Sequence, residues 1–272
     1  MQIGLTQLDI KWEDKETSKT RCLACIQAAK KAKVDLLVFP EMALTGFTMN
    51  VELAGEEMLG SPTIKFFREE SLKNHMAIAF GYVESFGGEY YNKMAIVSEG
   101  KLLYDYDKIH PFSYGEEGKY YTGGNQVETA SLDGLTFSGF ICYDLRFPEI
   151  FQVVSKETDV ILIIANWPAE RIEHWETLLK ARAIENQCYI VGVNRIGKGG
   201  GHTYRASSMA FDPDGKRMTR VGNQSNLLTV QVTHETVEKA RTAFPVKKDR
   251  KESLYASWYQ AEQIKPVDYN EQ

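Results

Sequence analysis

Three reactive side chains, Cys142, Glu41 and Lys108, each stand where an apolar run gives way to a polar turn. Cys142 follows residues 135–141, which alternate and then run apolar as a half-buried or central strand does. Glu41 ends the run 36–39 through Pro40, and Lys108 ends 102–107 ahead of Ile109-His110-Pro111-Phe112. Singly, each has an ordinary explanation: free cysteines are among the most buried residues, and a charged residue after a strand is usually solvated. Together they describe chemistry. A free thiol titrates near pH 8.5, so little is thiolate at neutrality, and a carboxylate base beside an ammonium corrects this.

The elements that must position these groups alternate. Strands are predicted over 2–8, 36–39, 77–83, 94–98 and 102–107, with helices over 17–33 and 61–74. Ser61 is a suitable cap for the second helix and Pro62 a suitable first-turn residue. After a loop over 110–124 the plan repeats. Strands are expected at 127–132, 135–141, 160–165 and 189–194, helices after Pro148, over 172–186 and near 235–244, and two last strands around the turn 212–215. No linker or low-complexity segment interrupts residues 1–272, which are read as one α/β domain with an extended tail from about 245. Ligands of open α/β sheets bind beyond the carboxyl ends of the strands, where all three reactive groups would lie.

F-P-E-M-A-L-T-G-F around Glu41, Y-D-K-I-H-P-F around Lys108 and G-F-I-C-Y-D-L-R-F-P-E around Cys142 resemble, in order, the three signature segments of the carbon–nitrogen hydrolase (nitrilase) superfamily. The resemblance runs from the first strand to about Val232. It implies an αββα four-layer sandwich, two face-to-face mixed sheets with helices outside. It further implies Cys142 as nucleophile, Glu41 as general base, and Lys108 with the backbone N–H of Tyr143 as donors to an oxyanion. A second glutamate that steadies the lysine is implied between Lys108 and Cys142; Glu117 is favoured over its neighbour Glu116. Residues 165–169 (A-N-W-P-A), His174-Trp175 and 181–187 are similar to the ω-amidase-like branch, which deaminates small dicarboxylate monoamides such as 2-oxoglutaramate.

The rim residues carry the substrate reading. Arg146, one turn beyond Cys142, is expected either to bind a carboxylate through its fork or to brace the turn against Asp144 or Glu149. Asn166 and Trp167 are expected to form a wall, and Arg195 a second anion contact. Other amidase, carbamoyl-amine hydrolase or nitrilase activities of the superfamily are the enzymatic alternatives, and a catalytically silent ligand- or partner-binding relative is the non-enzymatic one. A histidine base, His110 or His174, is the chemical rival.

Composition excludes several classes. A net charge of −5 over 272 residues argues against a nucleic-acid binder, and no apolar run is long enough for a membrane span. The first residues read as a strand rather than a signal peptide, so a cytoplasmic location is expected. Four cysteines do not form a disulfide framework here. Cys22 and Cys25 fall at a helical spacing that buries both, and Cys188 opens a core strand. No metal-ligand cluster is visible, and residues 197–201 (G-K-G-G-G) lack the ending of a phosphate loop and read as a flexible connection. No cofactor or metal is expected; the expected partners are a small amide and water. Tyr255, Trp258 and Tyr259 make the tail a docking segment rather than a disordered one, and the resemblance implies that it reaches across a homodimer or larger assembly.

Overall fold

Leu37 packs with helix residues Ile26 and Phe67, whereas its neighbours Leu36 and Val38 pack into a different core. Side chains alternate across a strand, so this split separates two layers on either side of one sheet. The computed structural model describes residues 1–219 and 226–261. In chain order its strands are β1 (Gln2–Thr6), β2 (Leu36–Val38), β3 (Ala77–Phe86), β4 (Glu89–Ser98), β5 (Lys101–Asp107), β6 (Ala130–Leu132) and β7 (Leu135–Ile141). They continue as β8 (Val160–Ala165), β9 (Tyr189–Asn194), β10 (Gly197–Gly199), β11 (His202–Tyr204), β12 (Met209–Phe211) and β13 (Leu227–Gln231). The helices are α1 (Lys15–Lys31), α2 (Val51–Ala54), α3 (Pro62–Asn74), α4 (Pro148–Val154), α5 (Ile172–Asn186), α6 (His234–Ala243) and α7 (Glu252–Gln260).

The first sheet has the order β13-β1-β2-β3-β4-β5 and the second β12-β9-β8-β7-β6. Both are mixed: β1–β2–β3 and β7–β8–β9 run parallel, with antiparallel neighbours at their edges. Ala77 and Ala79 of β3, Met94 of β4 and Tyr104 and Tyr106 of β5 join Phe137, Phe140, Leu162 and Val191 in one buried cluster between the sheets. Helices α1 and α3 cover the outer face of the first sheet through Cys22, Ile26, Ile64 and Phe67. On the second sheet, Phe151, Trp175, Leu179 and Val237 bring in α4, α5 and α6. The result is the αββα sandwich, with Tyr104 tying its sheets together: its hydroxyl donates to Gly139 O and accepts from Gly139 N, both at 2.9 Å.

Local chemistry explains where elements begin. Asp14 accepts from Thr17 N at 3.0 Å, so α1 starts before the predicted Thr17. Ser61 caps α3 through Ile64 N at 3.1 Å, as its type predicts. β4 begins earlier than its apolar core at Met94 because the β3–β4 hairpin turns at Gly87-Gly88 and pairs from Phe86↔Glu89 onward. Residues 197–201 are not a flexible connection: Gly197–Gly199 pairs antiparallel with His202–Tyr204. Gly200 has φ +54° and lies against Trp12, where a Cβ would come within 2.6 Å of the ring. A larger residue would push this hairpin off its seat. Beyond the turn 212–215, Arg217 forms an isolated bridge with Phe211, while 220–225 and the tail beyond 261 lie outside the described residues.

Candidate active site

Glu41 leaves the end of β2 on a turn that the next strand holds from behind. Gly81 N donates to Pro40 O at 3.2 Å, and Ala43 N donates to Gly81 O at 2.9 Å. A Cβ on Gly81 would sit 2.4 Å from Met42 N and 2.6 Å from Glu41 Cα, so only glycine allows this approach. Met42 itself is left-handed, at φ +45°. Its neighbour's carboxylate is wholly buried. One oxygen, Oε2, accepts from Asn166 N at 2.8 Å; the other, Oε1, accepts from Asn92 Nδ2 at 2.8 Å and from Lys108 Nζ at 3.1 Å.

Lys108 is equally buried and reaches a second carboxylate. Its Nζ lies 2.8 Å from Glu117 Oε2 and 3.0 Å from Oε1. Asn92 Nδ2 also donates to Glu117 at 2.9 Å, and Phe112 N donates to the same carboxylate. Glu116, by contrast, is exposed and pairs with Lys119 on the surface. Burial works against the ammonium, but Glu117 and Glu41 together outweigh it and hold Lys108 above the ordinary lysine range. Burial, with Glu41 adding, pushes Glu117 up despite the lysine beside it.

Cys142 opens a single-turn helix over Cys142–Arg146 with φ +48°, a left-handed conformation uncommon for a residue with a side chain. This sharp turn at the end of β7 presents the sulfur to the cleft. Asp144 fixes it: its buried carboxylate accepts from Ile141 N (3.1 Å), Tyr106 Oη (3.0 Å) and His110 N (3.0 Å), with His110 Nδ1 at 2.8 Å. Burial first, and then Glu41, raise the Cys142 thiol pKa, while Lys108 and the Asn166 amide oppose them. His110 is engaged with Asp144 and stacks on Phe147 at 3.7 Å between centroids, and His174 is exposed beside Arg146.

The cleft above these groups encloses about 50 Å³ and opens to solvent at its mouth. Lys108, Cys142, Tyr143, Arg146, Asn166 and Trp167 line it together. Arg146 does not brace the turn, since Asp144 is taken by His110, Tyr106 and Ile141 and Glu149 accepts from Tyr259. Its guanidinium instead lies over the Trp167 ring at 4.9 Å. Asn166 serves the floor more than the wall, holding Glu41 through both its backbone and its side-chain nitrogens. Arg195 does not line the cleft: its fork binds Ile10 O, Lys198 O and Ile196 O behind the Tyr204 ring.

Residues 2–242 match the family model described as carbon-nitrogen hydrolase. The chain belongs to this family. It is thus a hydrolase of carbon–nitrogen bonds. It is 32% identical over 258 residues to the 2-oxoglutaramate amidase of Bacillus subtilis, spanning 93% of this chain and 98% of that protein. It is 30% identical over 247 residues to the omega-amidase YafV of Yersinia enterocolitica, spanning 90% and 94%. Among solved structures, a Xanthomonas campestris member of the superfamily with an arsenic adduct in its active site superposes with a TM-score of 0.86 at 28% identity, covering 92% of this hydrolase and 97% of that chain.

Several residues of the hydrolase's cleft had no reading from sequence. Asn92 donates to both carboxylates, and its signal is an amide directly before the buried run from Lys93 to Val97. Phe112, Arg171 and Tyr204 line the cleft from loops and from the hairpin β10–β11. Only the folded chain brings those segments to Cys142.

Proposed function

We propose that this hydrolase releases ammonia from the ω-amide of small dicarboxylates, 2-oxoglutaramate being the model substrate, through a thioester on Cys142. The observation that carries the reading is the convergence of Glu41, Lys108 and Cys142 beneath one cleft whose mouth holds an arginine with no carboxylate partner among the described residues. The names of the relatives lend it the substrate class.

Burial and the neighbouring Glu41 and Glu117 disfavour a standing thiolate. Proton loss and attack therefore go together. The Cys142 sulfur bonds to the amide carbon while its proton passes to Glu41. The oxygen gains the displaced electron pair and is met by Lys108 Nζ and the N–H of Tyr143, which is free because the first amides of a helical turn have no intrahelical acceptor. Each such donor contributes about 3–4 kcal/mol to the transition state. Collapse breaks the C–N bond as Glu41 returns the proton to the leaving nitrogen, giving ammonia and the thioester. Water then attacks with Glu41 again as base; the C–S bond breaks and the proton returns to sulfur. Glu117 and Asn92 act through Lys108 and Glu41, holding them in place. The expectation of a homodimer or larger assembly is supported by the apolar side chains left exposed beside the tail helix α7: Val153, Ile184, Phe244 and Trp258.

Ammonia release should be measured on 2-oxoglutaramate, 2-oxosuccinamate, glutamine, a simple aliphatic amide and a nitrile. The reading requires the oxo-acid amides to give the highest kcat/KM. Preference for the nitrile or the aliphatic amide would move the activity elsewhere in the superfamily. No release from any of them by folded protein would favour a silent binder.

A further inference from the structure

We propose that Arg171 is a specificity-determining residue: it shares the mouth of the cleft with Arg146 and selects amides whose far end carries a carboxylate. The inference rests on the amidase reading and deepens it. Most half-buried and buried arginines in the described residues have their forks occupied. Arg182 binds Glu185 and Leu145 O; Arg217 binds Glu176; Arg241 and Arg250 bind backbone carbonyls at the ends of α4 and α5. Arg195 turns its Nη2 and Nε to backbone carbonyls and does not line the cleft.

Arg146 and Arg171 differ. Both line the cleft, both are half-buried, and among the described residues neither guanidinium meets a carboxylate or a carbonyl. Arg146 has only His174 Nδ1, at 3.4 Å. Each rests on an aromatic face, Arg146 on Trp167 at 4.9 Å and Arg171 on Phe112 at 5.8 Å. Trp167 links them: its ring carries Arg146 while its Nε1 donates to Arg171 O at 2.7 Å. The backbone of Arg171 is pinned further by its N–H to Pro168 O at 3.1 Å. These are fixed cations with unused donors.

The other cation lining the cleft is neutralised: Lys108 is matched by two carboxylates. The positive field at the mouth thus comes from two planar forks, a geometry that suits carboxylate oxygens. A neutral amide gains nothing from it. A carboxylate separated from the amide by a short chain reaches the forks while its carbonyl lies at Cys142.

The test compares glutaric acid monoamide with pentanamide, of the same length and uncharged, on wild type, Arg171→Met and Arg171→Lys, with thermal melts confirming folding. Arg171→Met should lower the acidic-to-neutral ratio of kcat/KM at least tenfold, chiefly through KM for the acidic amide, and Arg171→Lys should recover part of it. An unchanged ratio overturns the role of Arg171 while wild-type turnover of the acidic amide keeps the amidase reading intact. Were wild type itself to prefer pentanamide, the acidic-substrate reading would fail and this inference with it.

Discussion

The backbone N–H of Asn166, at the end of β8, donates to Glu41 Oε2 at 2.8 Å across 125 residues of chain. That bond joins the two sheets at the point where the chemistry is placed. Glu41 follows β2 of the first sheet and Cys142 follows β7 of the second, so the two side chains meet at one cleft only when the sheets are stacked in register. The same carboxylate accepts from Lys108, making Glu41 a structural hub.

Gly81→Ala tests that stacking from outside the cleft. The added Cβ would press on the backbone of Glu41 and Met42. Overpacking of this kind costs about 1–3 kcal/mol. We expect a lower melting temperature together with a fall in kcat larger than the fall in folded fraction, measured by calorimetry and ammonia release on one preparation.

Glu117→Gln leaves the buried Lys108 with one carboxylate. Breaking a buried ion pair from one side costs roughly 3–5 kcal/mol, so stability should drop by that order in urea unfolding. Turnover should fall at least as steeply, because Lys108 loses its position. Glu116→Gln, on the exposed surface beside Lys119, should change neither, which separates the two adjacent glutamates.

Asp144→Ala removes the acceptor of Ile141 N, His110 N and Tyr106 Oη at once. Hydrogen bonds to a charged group contribute about 1.5–3 kcal/mol each. The variant should be strongly destabilised, and any folded fraction should react slowly with iodoacetamide at Cys142, because the left-handed turn is no longer held.

Lys247 predicts a pH effect of definite sign. Burial, with Arg241 and Arg250 adding to it and Cys188 opposing, pushes its pKa down to about 8. Between that pH and the ordinary lysine value of about 10.4 the folded chain binds fewer protons than the unfolded chain, so this group's contribution to stability rises with pH across the window. Lys247→Met should flatten the rise in unfolding free energy from pH 7.5 to 9.5. An equal rise in wild type and variant would contradict this.

The strands that place Cys142 and Asn166 were legible because they are rich in apolar residues and bounded by polar turns. Residues 135–141, 160–165 and 189–194 are buried almost throughout, and their predicted limits coincide with β7, β8 and β9. Asn92 was hidden because it lies ahead of the predicted strand 94–98. Its burial depends on the pairing Val83↔Asn92, a property of two strands rather than one. Arg171 and Tyr204 were hidden for a related reason. Arg171 ends a single 3-10 turn and Tyr204 ends the three-residue strand β11; the approach of both to Cys142 is set by tertiary packing, including the Trp12 seat beneath the glycine hairpin. Local pattern favours Glu117 over Glu116 without deciding between them, because two adjacent glutamates differ only in their burial, which the fold sets.

The most direct test is an acid quench of the protein within its first turnovers of 2-oxoglutaramate, followed by intact-mass and peptide mass spectrometry. The account predicts an acyl adduct, the mass of the substrate less ammonia, confined to the peptide carrying Cys142 and absent from Cys142→Ala, which should also release no ammonia above background. Ammonia release at wild-type rate by Cys142→Ala, or an adduct on any other residue, would contradict it.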